Sequence, residues 1–385
     1  MANVSRLLSG APCGTDFLTQ LQIDDGDDAL LREALRKIRE KLRTRIGRWT
    51  RQNLGILLTP RFFTQGSFAY KTMNHPAWLP PQQMDMDDGA YLPITFVKGV
   101  KPSIAAAMFF EIVDSALAEL IREQGWHSLV KKPTCSRVVL NARAHIDIPL
   151  YAIPDAEFEQ LSKSMALDHA IAKIDEDIDF MRSRRDNWAL LPSDKVLLAH
   201  REEDWKQSDP RKIHDWFMNA VEFYGEILRR QCRYLKAWRD HQQLDHVSSI
   251  TLMVFAWQVF EEIGVANVPQ RDDLMLLAIA RRLADLMAQP ISNPAEPSEQ
   301  LGASWSHAER HDAIKQAGKL LERLDMAINA CYLPEVAVAR MRSIFGGRVP
   351  NRPDLVGVQA AAKAEVRAHE RIYTPAPLVG RSISG

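Results

Sequence analysis

Strand-like text in this chain stops at Pro154. Before that point short apolar or alternating runs are interspersed with helical ones, and after it nearly every long segment repeats with helical period. The chain therefore reads as an α+β half of roughly 150 residues followed by a helical half. In the first half, "DDALLREALRKIREKLRTRIGRW" places Leu31, Leu35, Ile38, Leu42 and Ile46 on one helix face behind Asp27 and Asp28. The apolar run 102–125 predicts a buried helix with Ser103 as N-cap and Gly125 as stop. Residues 127–153 read as strands, "SRVVLNA" and "HIDIPLYAI", joined by a turn at 141–143.

Beyond Pro154 the run "IHDWFMNAVEFYGEILRRQCRYLKAWRDHQ" reads as helix, as do three later segments. "PISNPAEPSEQLGASWS" reads as a Pro/Ser-rich loop. After Gly347 the text turns polar and proline-punctuated, as mobile ends do. The expected division is 1–155, 156–346 and a tail at 347–385.

Charge and cysteine content limit the function. Lys+Arg and Asp+Glu both number 49, so there is no global basic field of the kind duplex readers carry, and sequence-specific nucleic-acid binding is not expected. Cys13, Cys135, Cys232 and Cys331 lack C-x-x-C spacing, which argues against a zinc site or a disulfide framework and fits a reducing cytoplasm. No apolar run approaches the roughly 18 residues that span a bilayer.

The chemistry is carried by carboxylates. In "QQMDMDDGAY", strand alternation projects Asp85 and Asp87 together while Met84, Met86 and Asp88 point the other way. Paired carboxylates are hard oxygen ligands suited to Mg²⁺, with Mn²⁺ as the alternative. Asp147 sits between Ile146 and Ile148 in an apolar strand, where an uncompensated charge would be costly, and it is the candidate third acid of a two-metal site. Upstream, Gly66-Ser67 offers a turn without bulk, through which backbone N–H groups and a hydroxyl can reach phosphate oxygens. There is no G-x-x-x-x-G-K-[ST] motif. Arg229, Arg233 and Lys236 fall at i, i+4 and i+7, a helix face able to present cations to a triphosphate.

The blocks "LTPRFFTQGSFAY", "QQMDMDDGAYLP", "HIDIPLYAIP", "SDPRKIHDWF", "CRYLKAWRD" and "SSITLM" together resemble the bacterial cGAS/DncV-like nucleotidyltransferases, in the branch of the bacterial cyclic GMP-AMP synthase. The resemblance implies a polymerase-β-like nucleotidyltransferase core joined to a helical domain, with the active site in the cleft between them. It also implies synthesis of a cyclic oligonucleotide second messenger from ATP, GTP or other NTPs, in anti-phage defence and read by a downstream effector. By position it assigns Asp85, Asp87 and Asp147 to metal, and Gln65, Gly66, Ser67, Phe68, Ala69 and Tyr70 to the nucleotide. Arg137, Ser208, Lys236 and Ser249 match its other nucleotide contacts. Where the family member compared has an aspartate that helps read guanine, this chain offers Ser298 or Glu299. The other readings of the same carboxylates are a non-cyclising, template-independent nucleotidyltransferase and a degenerate nucleotide-binding regulator. Relatives are joined through a C-terminal residue to other molecules by ubiquitin-transfer-like E1/E2 enzymes, and Gly385 suits that chemistry because a residue without a side chain can enter a narrow activating site.

Overall fold

The computed structural model describes residues 1–93, 102–172, 188, 191–203 and 205–358. The chain opens with β1 (Ala2–Asn3), α1 (Ser5–Leu8) and α2 (Phe17–Gln20), then runs into the long α3 (Asp25–Leu54). Asp24 caps α3, its carboxylate accepting from the Asp27 N–H at 2.7 Å, and Gly55 ends it at a positive φ of 69° that a side chain would disfavour. All five apolar positions of the predicted face are buried.

There follow β2 (Arg61–Gln65), α4 (Gly66–Ala69), β3 (Met84–Pro93), α5 (Pro102–Gln124), β4 (Ser128–Lys131), β5 (Cys135–Asn141), β6 (Ala144–Ile153), α6 (Asp155–Ala172), β7 (Leu197–Leu198) and β8 (Lys206–Gln207). The strands form one mixed sheet in the order β2-β3-β6-β5-β4, with β7 on β6 and β8 on β7; β3 and β6 run parallel and every other pair antiparallel. Apolar residues of α3, α5 and the facing strands share one core. A buried ion pair joins helix to sheet: Asp88, fully buried, accepts from Arg39 Nε at 2.8 Å and from Thr64 Oγ1 at 3.0 Å. Helix α5 begins at Pro102, so Ser103 lies inside its first turn and not ahead of it as expected.

The helical half comprises α7 (Pro210–Tyr224), α8 (Glu226–Gln242), α9 (Ser249–Ile263), α10 (Asp272–Ala288), β9 (Ile291–Asn293), β10 (Glu296–Leu301), α11 (His307–Ile328), α12 (Pro334–Phe345) and β11 (Gly357–Val358). Four findings differ from the sequence reading. The single helix expected at 213–242 is two, because Gly225 at φ 82° breaks the ladder between α7 and α8. The expected Pro/Ser loop carries the β9–β10 hairpin, with Ile291 and Leu301 buried. Residues 2–21 belong to the helical core and not to the sheet: Leu7, Leu8 and Phe17 are buried in it, and Val4 N–H and Ser9 Oγ donate to Asp273 and Asp272, each at 2.8 Å. The tail is packed to residue 358, with Val349, Leu355 and Val356 buried and β11 paired to β1. Gly385 lies outside the described residues. Among the described residues no helix is long and apolar enough to cross a membrane.

Candidate active site

The parallel register of β3 and β6 sets Asp85 opposite His145 and Asp87 opposite Asp147, and β5 sets Arg137 beside Asp147. Because side chains alternate along each strand, this register puts all five on one face of the sheet. A cleft of ≈ 600 Å³ opens over that face, walled on the other side by α8 and the first turn of α9. Asp85 and Asp87 line it, as do Gly66, Ser67, Tyr70, Arg137, His145, Lys236 and Ser249.

Beneath it, Asp85, His145 and the buried Asp147, which does not itself line the cleft, each bring one donor atom within 4.8 Å of the others. Arg137 grips Asp147 with two hydrogen bonds, Nε to Oδ1 at 2.6 Å and Nη2 to Oδ2 at 2.7 Å, the bidentate fork that supplies the compensation its apolar strand demands. His145 Nε2 stands 2.8 Å from Asp85 Oδ1. Both atoms are buried and neither makes a hydrogen bond. Two carboxylates with an imidazole, holding orphaned lone pairs, fit a divalent cation.

Asp87 stands beside this group with its carboxylate turned to α4. A Cβ built at Gly66, whose φ is 69°, would fall on Asp87 Oδ2, so only glycine allows the approach. Burial, then the charges of Asp85 and Asp147, push the Asp87 carboxyl well above its ordinary range. Burial acts the same way on Asp85, but His145, Arg137 and Lys132 outweigh it and hold that group below its ordinary value. The paired acids thus sit at opposite ends of the carboxylate range.

The expected turn at Gly66-Ser67 is one turn of helix, α4, placed at the cleft mouth. Tyr70 lines the cleft, but its ring packs 5.6 Å from His214 and 5.9 Å from Phe217. Gln65 is buried and its Nε2 donates to Tyr151 Oη at 3.3 Å. Phe68 packs on the α3–sheet core and Ala69 on the helical core, and neither they nor Gln65 line the cleft. Ser208 lies just ahead of α7, its N–H given to Val196 O, and is also outside the lining. Ser298 and Glu299 sit exposed on β10, where Glu299 accepts from Asn293 Nδ2 at 2.6 Å.

The basic face of α8 has a different use from the one expected. Arg229 Nε donates to Tyr70 O at 2.9 Å, Arg233 Nε to Asn74 Oδ1 at 2.9 Å and Lys236 Nζ to Thr72 O at 2.7 Å. All three are buried, and they strap segment 70–74 to the helical half. Only Lys236 also faces the cleft, and burial, with Arg239 beside it, brings its pKa down to about 8.

Sequence reasoning missed His145 and its neighbour Gln83. The signal was present: His145 is two residues before Asp147 in one strand, so the alternation that pairs Asp85 with Asp87 pairs these two as well.

Comparison with known proteins follows the same outline. The family described as cyclic GMP-AMP synthase DncV-like, nucleotidyltransferase domain, matches residues 60–151, and the cyclic GMP-AMP synthase C-terminal domain matches 225–357. A cyclic GMP-AMP synthase of Escherichia coli is 33% identical over 338 residues, 86% of this chain and 77% of that one. That of Vibrio cholerae is 32% identical over 339 residues, covering 85% and 76%. Among solved structures, a variant of the Vibrio cholerae dinucleotide cyclase superposes with a TM-score of 0.78 at 25% identity, over 93% of this chain and 99% of that one. The same enzyme holding the linear intermediate 5′ pppA(3′,5′)pG superposes at 0.76 with 26% identity, over 93% and 99%.

Proposed function

This chain belongs to the DncV-like nucleotidyltransferases, and on that premise we propose that it joins ATP and GTP into a cyclic dinucleotide, 3′,3′-cyclic GMP-AMP, as a cytoplasmic second messenger in anti-phage defence. The observation that carries the reading is the β3–β6 register, which brings Asp85, Asp87 and Asp147 to one face beneath a cleft of nucleotide size.

Asp85, Asp87 and Asp147 would hold the divalent metal, two Mg²⁺ ions in a full site. Bound there, the metal supplies an acidified acceptor hydroxyl and neutralises charge on the α-phosphate and the departing pyrophosphate. Arg137 keeps the Asp147 carboxylate in one orientation, so the acceptor end of the site is formed before substrate arrives. Ser67 offers its hydroxyl to the triphosphate, and the first turn of α9 beside Ser249 presents the positive end of a 15-residue helix. Lys236 spends one proton on Thr72 O and keeps the other two for phosphate oxygens. After the first bond forms, the linear intermediate turns over in the cleft and its free end attacks in turn.

The test is to incubate the purified chain with Mg²⁺ and labelled ATP and GTP, alone and in pairs with CTP and UTP, then measure product mass and resistance to phosphatase. A resistant product with the mass of cyclic GMP-AMP is expected. Phosphatase-sensitive linear oligomers would assign a non-cyclising enzyme, and no incorporation of ATP would overturn the reading.

A further inference from the structure

Gln83 fixes the state of His145. Its amide nitrogen donates to the carbonyl oxygens of Asn141 at 3.1 Å and Ala142 at 3.3 Å, in the turn between β5 and β6. The amide oxygen is therefore the atom left to meet His145, and it lies 2.9 Å from Nδ1. A carbonyl oxygen can only accept, so Nδ1 carries the proton that meets it, and Nε2 is the nitrogen turned toward Asp85. His145 is only 5% exposed. Its Nε2 makes no hydrogen bond, and neither does the Asp85 Oδ1 that faces it at 2.8 Å. A cation shared between the two atoms would hold them at that distance. Adjacent ligands on an octahedral ion with bonds of about 2.0–2.1 Å stand about 2.9 Å apart, which matches the spacing found.

We propose that His145 is a nitrogen ligand to the divalent ion of this site, through Nε2 beside Asp85 Oδ1 and Asp147, and that it tilts the site toward Mn²⁺ over Mg²⁺. Imidazole favours transition metals, whereas an all-oxygen set suits Mg²⁺ equally well. Gln83 is the outer partner that a metal-bound histidine needs to hold its ring and tautomer. The inference deepens the metal-site reading above and does not depend on which nucleotide product forms.

The experiment loads the full chain with Mn²⁺ in the absence of nucleotide and records electron spin-echo modulation. Modulation from a directly bound nitrogen is expected, altered when the histidines are isotope-labelled. In His145→Gln that modulation disappears and the Mn²⁺ dissociation constant rises about tenfold or more, while that of Mg²⁺ moves less than about threefold. A native complex without nitrogen modulation, as when His145 instead carries a proton toward Asp85, overturns the proposal. So does modulation that persists in His145→Gln, or a native chain that binds no Mn²⁺ at millimolar concentration. The native measurement decides even if the variant fails to fold. A chain that shows bound nitrogen yet makes only linear product refutes cyclisation and leaves the histidine ligand standing.

Discussion

Replacing Arg39 by Met tests whether α3 is locked to the sheet by charge. Asp88 is fully buried and Arg39 nearly so, with Nε at 2.8 Å and a second contact from Nη2 to Oδ1; Thr64 Oγ1 provides the one neutral partner at 3.0 Å. Methionine fills much the same volume but leaves the Asp88 carboxylate with the hydroxyl alone, and breaking a buried pair from one side costs about 3–5 kcal/mol. With an unfolding entropy of about 2.1 cal/mol/K per residue, a cooperative transition of all 385 residues turns that loss into a melting shift of about 4–6 °C. If the sheet half melts on its own, the same loss falls on about half the chain and the shift roughly doubles. Calorimetry of the native chain and the variant distinguishes the two. The double variant Arg39→Met, Asp88→Asn should recover most of the loss, because the lone buried charge is gone. Asp88 faces away from the cleft, so turnover well below the melting range should stay within about threefold. A cost under about 1 kcal/mol, as for a solvated surface pair, or a double variant no better than the single one, would refute the reasoning.

Asp87→Asn should abolish product formation yet raise the stability of the metal-free chain at pH 7. Asp87 binds its proton more tightly folded than unfolded, so its contribution is present below the unfolded carboxylate range and lost as pH rises through the folded value; the variant's advantage in melting temperature should therefore vanish on acidification toward pH 4. Gly66→Ala places a methyl on the Asp87 carboxylate in a left-handed conformation that costs about 1–2 kcal/mol, and displacing that group should lower kcat by about 100-fold with only a small change in melting; near-native turnover would count against the close approach.

Local pattern carried much of this molecule. The 3.6-residue period of α3 was enough to name its buried face, and alternation along β3 to put Asp85 and Asp87 on one side of a strand; Asp147 stood out as a lone charge in an apolar strand, and only the β3–β6 register sets it on their face. Periodicity reports which face of an element is apolar and says nothing of which neighbour covers it. That is why Leu7, Leu8 and Phe17 could not be assigned to the helical core, and why Arg229 and Arg233 looked like free cations when they hold the carbonyl of Tyr70 and the amide of Asn74. Short elements escaped for a related reason: β9, β10 and β11 have too few residues to show a period, and Val349, Leu355 and Val356 are isolated apolar residues in polar text. Gly225 was legible as a glycine but not as a break, since a positive φ is a property of the fold around it.

The pairing of β1 with β11 sets a schedule for synthesis. Val4, Leu7, Leu8 and Phe17 leave the ribosome well before the surfaces that bury them, which lie on α8, α10, α11 and the strand at 357–358. At about 5–20 residues per second these apolar side chains wait roughly 20–70 s for the last of their partners. The sheet half can close while translation continues; the helical half cannot. The opening segment is thus the part of the nascent chain most in need of a chaperone, and a message cut short soon after codon 208 yields a polypeptide whose nucleotidyltransferase sheet is whole but whose residues 2–21 have no place to go.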